Sequence, residues 1–149
     1  MTQRLQALMI AHGAIVFLVG MAVGFPFAWV VVESVDPTQA AGVAGTARAW
    51  HMAHLEGIMN GLLLIAVAAV APRITLSQVG QQIVAWGLIV TAWGNMIASI
   101  VSPLTGGRGL QFTGFDWNSL TFTLFVIAII GVVAAMGMLA LGALRTGKD

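Results

Sequence analysis

The chain contains no cysteine and no tyrosine among its 149 residues, and only 7% of them are charged. Without cysteine there can be no disulfide, thiolate zinc site, iron–sulfur cluster or c-type haem attachment. Without tyrosine no phenol can serve in a site. A soluble domain carries roughly 25% charged residues, so this chain has too little polar surface to face water. A net charge of +1 offers no basic patch for nucleic acid, and none is expected as a partner. The five acidic residues are scattered, whereas a hard-metal site wants several carboxylate oxygens together.

What is present is apolar. Hydrophobic residues make up 59% of the chain, and mean hydropathy is +0.97. The composition points to an all-α integral membrane protein, a single domain over residues 1–149. Charges and prolines divide it into four apolar runs, 5–32, 47–71, 75–101 and 117–144. Glu33 and Asp36-Pro37 end the first, Pro72-Arg73 the second, Ser102-Pro103 the third and Arg145 the last. Each exceeds the ~20 residues that cross a ~30 Å hydrocarbon core. Backbone groups in lipid must be satisfied internally, so four transmembrane helices are expected. Arg4 precedes a first run too long for a cleavable signal, which reads as a retained helix.

Arg4, Arg73, Arg145 and Lys148 fall at one end of these helices, and Arg48 and Arg108 at the other with Glu33, Asp36 and Asp116. The positive-inside rule then places both termini in the cytoplasm, in a bacterial inner membrane. Trp29, Trp50 and Trp117 lie near the opposite face, where an aromatic belt is expected. Residues 72–75 form a tight turn, while 33–46 and 102–116 are longer, glycine-rich loops sharing the outer face. Loops of that length often carry function.

Ionisable and polar residues interrupt the second run at its start, in Ala53-His-Leu-Glu-Gly-Ile-Met-Asn-Gly61. A polar group at that depth loses water and costs several kcal/mol unless paired, so each is a functional candidate. Helical spacing puts Glu56 and Asn60 on one face and His51 and His54 on another, which continues into Ile58 and Gly61. His54 lies about 10 Å below the outer end of its helix. Asn95 and Ser99 of the third helix reach a similar level, so His54, Asn60, Asn95 and Ser99 form a candidate cluster. His12 enters lower, badly staggered for bridging a haem with His54 in one subunit.

Plainer roles exist for each. Membrane histidines and asparagines can act as hydrogen-bonding glue between helices, and Gly20-x-x-x-Gly24 and Gly57-x-x-x-Gly61 match helix-packing seams. The eight methionines suit gap filling. Arg108 can be a loop charge, and Glu56 can pair with a buried partner or be protonated. Among metal readings, one imidazole beside an apolar wall of small residues suits haem b better than zinc. Haem needs one proximal imidazole, an apolar slot and cations for its propionates. Arg48 and Arg108 stand at the correct face for that last task, and Gly57 and Gly61 would leave room for a flat cofactor.

The sequence resembles the styrene oxide isomerase family over nearly its whole length. The resemblance is carried, in order, by Ala11-His12-Gly13, His54 followed by Asn60-Gly61 and Leu-Leu-Leu-Ile-Ala-Val-Ala, Trp93-Gly94-Asn95, Ser102-Pro103, Arg108-Gly109-Leu110 and Phe112. It implies a homotrimer of four-helix subunits with haem b near the subunit interface and His54 as the iron ligand. It further implies that ferric haem acts as a Lewis acid on the oxygen of a small hydrophobic epoxide. The ring opens toward a carbocation and a 1,2-hydride shift gives an aldehyde, without redox change. Asn60 would position the substrate, with Ser99 and Asn95 lining its side. The sequence departs from the family pattern at Ser99, where a tyrosine is expected, and at Thr91, where an aspartate is expected. His51 and Glu56 are further local differences.

Three functions are therefore in view. One is a haem b epoxide isomerase. The second is a haem b protein for electron transfer or gas sensing, with His51 or His12 of a neighbouring subunit as second ligand. The third is a structural four-helix bundle with its polar residues as glue.

Overall fold

The computed structural model describes residues 1–40 and 42–146. Four helices dominate it: α1 Gln3–Val35, α2 Ala47–Val70, α3 Gln78–Thr105 and α4 Trp117–Thr146. All four are long and apolar enough to cross a membrane, and the chain is an integral membrane protein. Among the described residues no strand occurs. Each helix begins where a short polar side chain caps it. Thr2 accepts from Leu5 N–H at 3.4 Å, Thr46 from Ala49 at 3.2 Å, Ser77 from Gly80 at 3.1 Å and Asp116 from Ser119 at 2.7 Å.

The start of α1 and the end of α4 lie at one end of the bundle with the short 71–77 connection. Thr2 N–H donates to Gln81 Oε1 at 3.0 Å, and Thr75 N–H donates to Thr146 Oγ1 at 2.8 Å. The loops after α1 and α3 meet at the opposite end, where a Cβ on Gly45 would lie 2.7 Å from Pro103 Cβ. Of the basic residues assigned to the termini end, Lys148 lies outside the described residues, as does Ala41 in the first loop.

The helices pack as two tight pairs, α1 on α2 and α3 on α4, joined by α2 on α3 and, more thinly, α1 on α3. α3 is the central helix: 56% of its most apolar stretch is buried, against 17% in α1 and 11% in α4. Both pairs close through glycine. A Cβ on Gly20 would lie 2.7 Å from Gly57 Cα, and one on Gly13 would lie 2.8 Å from Gly61 O. Gly87 and Gly131 oppose each other the same way between α3 and α4. With apolar lipid outside, close backbone approach and dispersion replace the hydrophobic effect as the force between helices. Thr91, buried in α3, adds a link to α4, with Oγ1 2.8 Å from the carbonyls of Gly87 and Ala128.

Two details differ from the expected spans. Pro103 does not end the third helix, which runs on to Thr105 and closes on Gly106 at φ 73°, whose N–H donates to Ser102 O at 3.0 Å. Proline lacks a donor, but one lost bond near a helix end is tolerated where the ring is packed, and Pro103 is buried beneath Gly45. Trp50 is not part of an interfacial belt. It is only 4% exposed, and its indole N–H donates to Ala44 O at 2.7 Å, tying the first loop to α2. Trp29 and Trp117, at 53% and 61% exposed, remain free to sit at an interface.

Gly20→Ala is expected to lower thermal stability in detergent by about 1–3 kcal/mol, because backbone rather than a flexible side chain blocks the added methyl. Gly137→Ala, in a position with nothing within 4 Å, serves as control and is expected to be neutral or stabilising. Equal melting temperatures for the two variants would contradict the seam.

At the loop end, hydrogen bonds hold two exposed carboxyls below their ordinary value of 3.8. For Asp36 the donors are Thr38 and Gln39; for Asp116 they are Ser119 and Thr113. A depressed carboxylate stabilises the fold above its unfolded pKa and loses that contribution as pH falls through the folded one. Loop-end order, followed by proteolysis between residues 106 and 116, is thus expected to hold at pH 5 and fail only below about pH 4. Asp116→Asn is expected to remove that acid sensitivity.

Candidate functional site

His54 sits on the face of α2 that meets α1. Its Nδ1 lies 2.8 Å from Gly20 O. A carbonyl can only accept, so Nδ1 carries the hydrogen, and in the neutral ring Nε2 keeps its lone pair. Nε2 has no hydrogen-bond partner among the described residues and is not sealed from the surface. Gly24 lies flat beneath the ring, where an added Cβ would come within 3.1 Å of both Nδ1 and Cε1. Phe27 runs nearly parallel to the imidazole, with centroids 6.3 Å apart, and stacks on the exposed ring of His51 at 4.9 Å. The Gly20-x-x-x-Gly24 pattern thus has two jobs: Gly20 contacts α2 backbone and Gly24 makes room for the imidazole. Gly57 and Gly61 face the backbone of α1 rather than open space.

The opposite side of α2 carries the other polar residues. Helix geometry separates His54 and Glu56 by roughly 200°. Here a cavity of about 570 Å³ opens toward the loop end. Glu56 and Ser99, farthest along their helices from the loop end, line its deeper part, Phe125 of α4 and Ser102 its walls, and the exposed Arg48 and Arg108 its mouth. Asn60 and Asn95 do not line it. Asn60 is 8% exposed, and its Nδ2 donates to Glu56 Oε2 at 2.7 Å and Glu56 O at 2.9 Å. Asn60 Oδ1 lies 3.5 Å from Asn95 Nδ2. The expected cluster therefore divides. Asn60 and Asn95 come together, Ser99 joins Glu56 in the cavity, and His54 stands on the far side of the helix.

His12 belongs to neither group. Trp93 Nε1–H donates to His12 Nδ1 at 3.0 Å, and the rings meet edge to face at 6.3 Å. An indole only donates, so this nitrogen of His12 is occupied by a clip between α1 and α3. Gly20, Gly24 and Phe27, which place the key imidazole, were not legible as its partners, although the glycine pattern flagged their stretch of α1. Spacing put Glu56 on the Asn60 face without revealing that its carboxylate opens into a cavity.

The styrene oxide isomerase family matches residues 5–144 of the chain. A styrene-oxide isomerase of Pseudomonas fluorescens is 28% identical over 115 residues, covering 71% of this chain and 68% of that protein. The hydroxylaminobenzene mutase HabA of Ectopseudomonas oleovorans is also 28% identical, over 151 aligned positions covering 95% of this chain and all of the relative.

Trp93→Phe removes one interhelical hydrogen bond and is expected to lower stability by about 0.6–1 kcal/mol, while leaving the cavity and His54 unaltered. Unfolding in mixed micelles checks the first point. Unchanged stability would mean that the indole donates elsewhere.

Proposed function

This chain belongs to the styrene oxide isomerase family, and on that premise we propose that it is a haem b membrane isomerase converting a small hydrophobic epoxide to an aldehyde. Enzymatic function of the isomerase type follows from the family and from both relatives. The haem, the epoxide and the assembly are the further steps of this reading.

One observation carries the haem assignment, the 2.8 Å contact of His54 Nδ1 with Gly20 O. Metal-binding histidines nearly always use the second ring nitrogen this way, which fixes tautomer and ring direction and raises ligand basicity. His54 is thus prepared to ligate through Nε2. The surrounding donor set fits haem rather than zinc. Among the described residues no group of three or more histidine, cysteine or carboxylate side chains could hold a metal ion, whereas one imidazole suffices for haem. Arg48 and Arg108 are the candidate partners for propionates. When bound, haem supplies a Lewis acid for the substrate's oxygen. The protein supplies the fixed imidazole and a cavity whose walls combine apolar side chains such as Met52 and Phe125 with Glu56, Ser99 and two arginines.

Ligand and cavity occupy different faces of α2, and this supports assigning the site to a subunit boundary. In a homotrimer, His54 of one subunit would meet the cavity of its neighbour. The electron-transfer alternative gains nothing from His12: its Nδ1 accepts from Trp93 Nε1–H, so in the neutral ring the hydrogen sits on Nε2 and neither nitrogen offers a lone pair to a metal. A second substrate class does have support. The mutase relative covers more of the chain than the epoxide isomerase does, so a small aromatic hydroxylamine is the competing substrate. Like an epoxide, it presents oxygen on a compact apolar body. The reading places the protein in a bacterial inner membrane with its termini in the cytoplasm.

Purified protein is expected to show a Soret band and one haem per chain, with three chains per particle. His54→Ala is expected to lose the band, His12→Ala to keep it, and Gly24→Ala to shift it by tilting the imidazole. A His54→Ala protein with full haem content would remove the ligand assignment. Styrene oxide and hydroxylaminobenzene offered in parallel decide the substrate.

A further inference from the structure

Glu56 is an acidic side chain inside a membrane span that the proposed function does not use, and among the described residues it is the only carboxylate lining the cavity. Its two oxygens are differently placed. Oε2 accepts from Asn60 Nδ2 at 2.7 Å. Oε1 has no hydrogen-bond partner among the described residues, and it is not sealed off as a buried orphan. Asn60 is in turn oriented by its second donor bond, to Glu56 O at 2.9 Å, and by Asn95 behind it. The two asparagines therefore form a relay of donors ending on a carboxylate, and the group presented to the cavity is Glu56 rather than Asn60. Eight residues of α2, about 12 Å of helix, separate Glu56 from Arg48. The cavity is cationic at its mouth and anionic at its floor.

We propose that Glu56 is a catalytic residue of the cavity, whose free oxygen stabilises positive charge developing on the substrate, with Asn60 as its positioning residue. The proposal rests on the isomerase reading, because the isomerisation creates such charge. The C–O bond of the epoxide opens with its electron pair going to oxygen, leaving positive charge on carbon. A hydride moves from the neighbouring carbon with its pair, and the oxygen's electrons close the carbonyl. No atom is gained or lost, and Glu56 forms no covalent bond. A fixed negative charge beside the developing cation favours the charge-separated state over the neutral substrate, most strongly where water is scarce. The same polarity would favour the orientation that turns the carbon bearing the developing positive charge toward the floor.

The test uses a cation mimic that cannot ligate iron. Phenyltrimethylammonium and its uncharged isostere tert-butylbenzene are titrated into the purified full-length protein by calorimetry. Wild type is expected to bind the ammonium roughly tenfold more tightly than the isostere, and Glu56→Gln, which keeps the Asn60 contact, to bind the two equally. In turnover the same variant is expected to lose about 100-fold in kcat with little change in KM. Absence of a cation preference in wild type, or its persistence in Glu56→Gln, overturns the proposal. Glu56→Asp draws the charge back by one methylene and is expected to fall between. If the glutamine variant does not fold, an aspartate variant indistinguishable from wild type also overturns it. Haem content separates this outcome from the previous reading: Glu56→Gln is expected to keep the Soret band. A protein without haem that still prefers the cation would sink the cofactor assignment alone.

Discussion

The contact of α1 with α2 through Gly20 and Gly57 is the constraint on which the rest of the site depends. Two backbones come close enough there that a single methyl group on either would collide with the other. That proximity puts Gly20 O within 2.8 Å of His54 Nδ1. The carbonyl belongs to a helix, where it already serves a backbone donor, so it accepts a second hydrogen through its other lone pair. A larger residue at either crossing position would separate the helices and break the bond. The geometry of the imidazole is therefore set by the absence of side chains on its neighbours, with Gly24 extending the effect under the ring.

The polar groups of the spans follow a related logic. None of their buried side-chain nitrogens or oxygens lacks a partner among the described residues. Thr91, Trp93 with His12, and Gln6, whose Nε2 donates to Ala68 O at 3.1 Å, hold helices together. His54 and Glu56 each combine one paired atom with one that is left open: His54 through Nε2, and Glu56 through Oε1 beside the cavity. In a membrane interior, where an unpaired polar atom is costly, an open atom beside a cavity makes its residue a candidate for work rather than for glue alone. It also explains why Asn60, polar and buried, is better read as the holder of a reactive group than as the group itself.

The number, length and order of the helices were legible because hydropathy and the ~20-residue span requirement leave little choice. Helical spacing also separated the histidine face of α2 from the Glu56–Asn60 face. What spacing does not give is the identity of the opposing surface. The depth argument put His54 level with Asn95 and Ser99, but Asn95 meets Asn60, lower on α2, and rotation about α2 sends the imidazole to α1 instead. Trp50 sits at an interface by sequence position and in the interior by rotation, for the same reason. Pro103 looked like a terminator because proline weakens a helix. The neighbouring loop packs over it and Gly106 provides the real stop, a long-range contact that no local pattern encodes. The departures at Thr91 and Ser99 divide likewise. Thr91 is a buried link between α3 and α4, whereas Ser99 opens into the cavity, so only the second bears on what the cavity admits.

Placing ligand and cavity on opposite faces of one helix has a consequence for how such a protein can change its chemistry. On the proposed reading, the residues that hold the cofactor lie along the α1–α2 seam, where almost any added atom collides with backbone. The residues that meet substrate, Ser99, Ser102, Glu56 and Phe125, lie where side chains border open volume. Substitution is expensive on the first face and inexpensive on the second. Two relatives at the same 28% identity, one named for an epoxide isomerase and the other for a hydroxylamine mutase, are what such a division would produce. Both names describe rearrangement within a single molecule. The small side chain of Ser99 leaves room in the cavity, and Glu56 with Arg48 and Arg108 gives it its polar groups. Substrate choice in this chain should therefore be sought on the α2–α3 face, with the imidazole seam held constant.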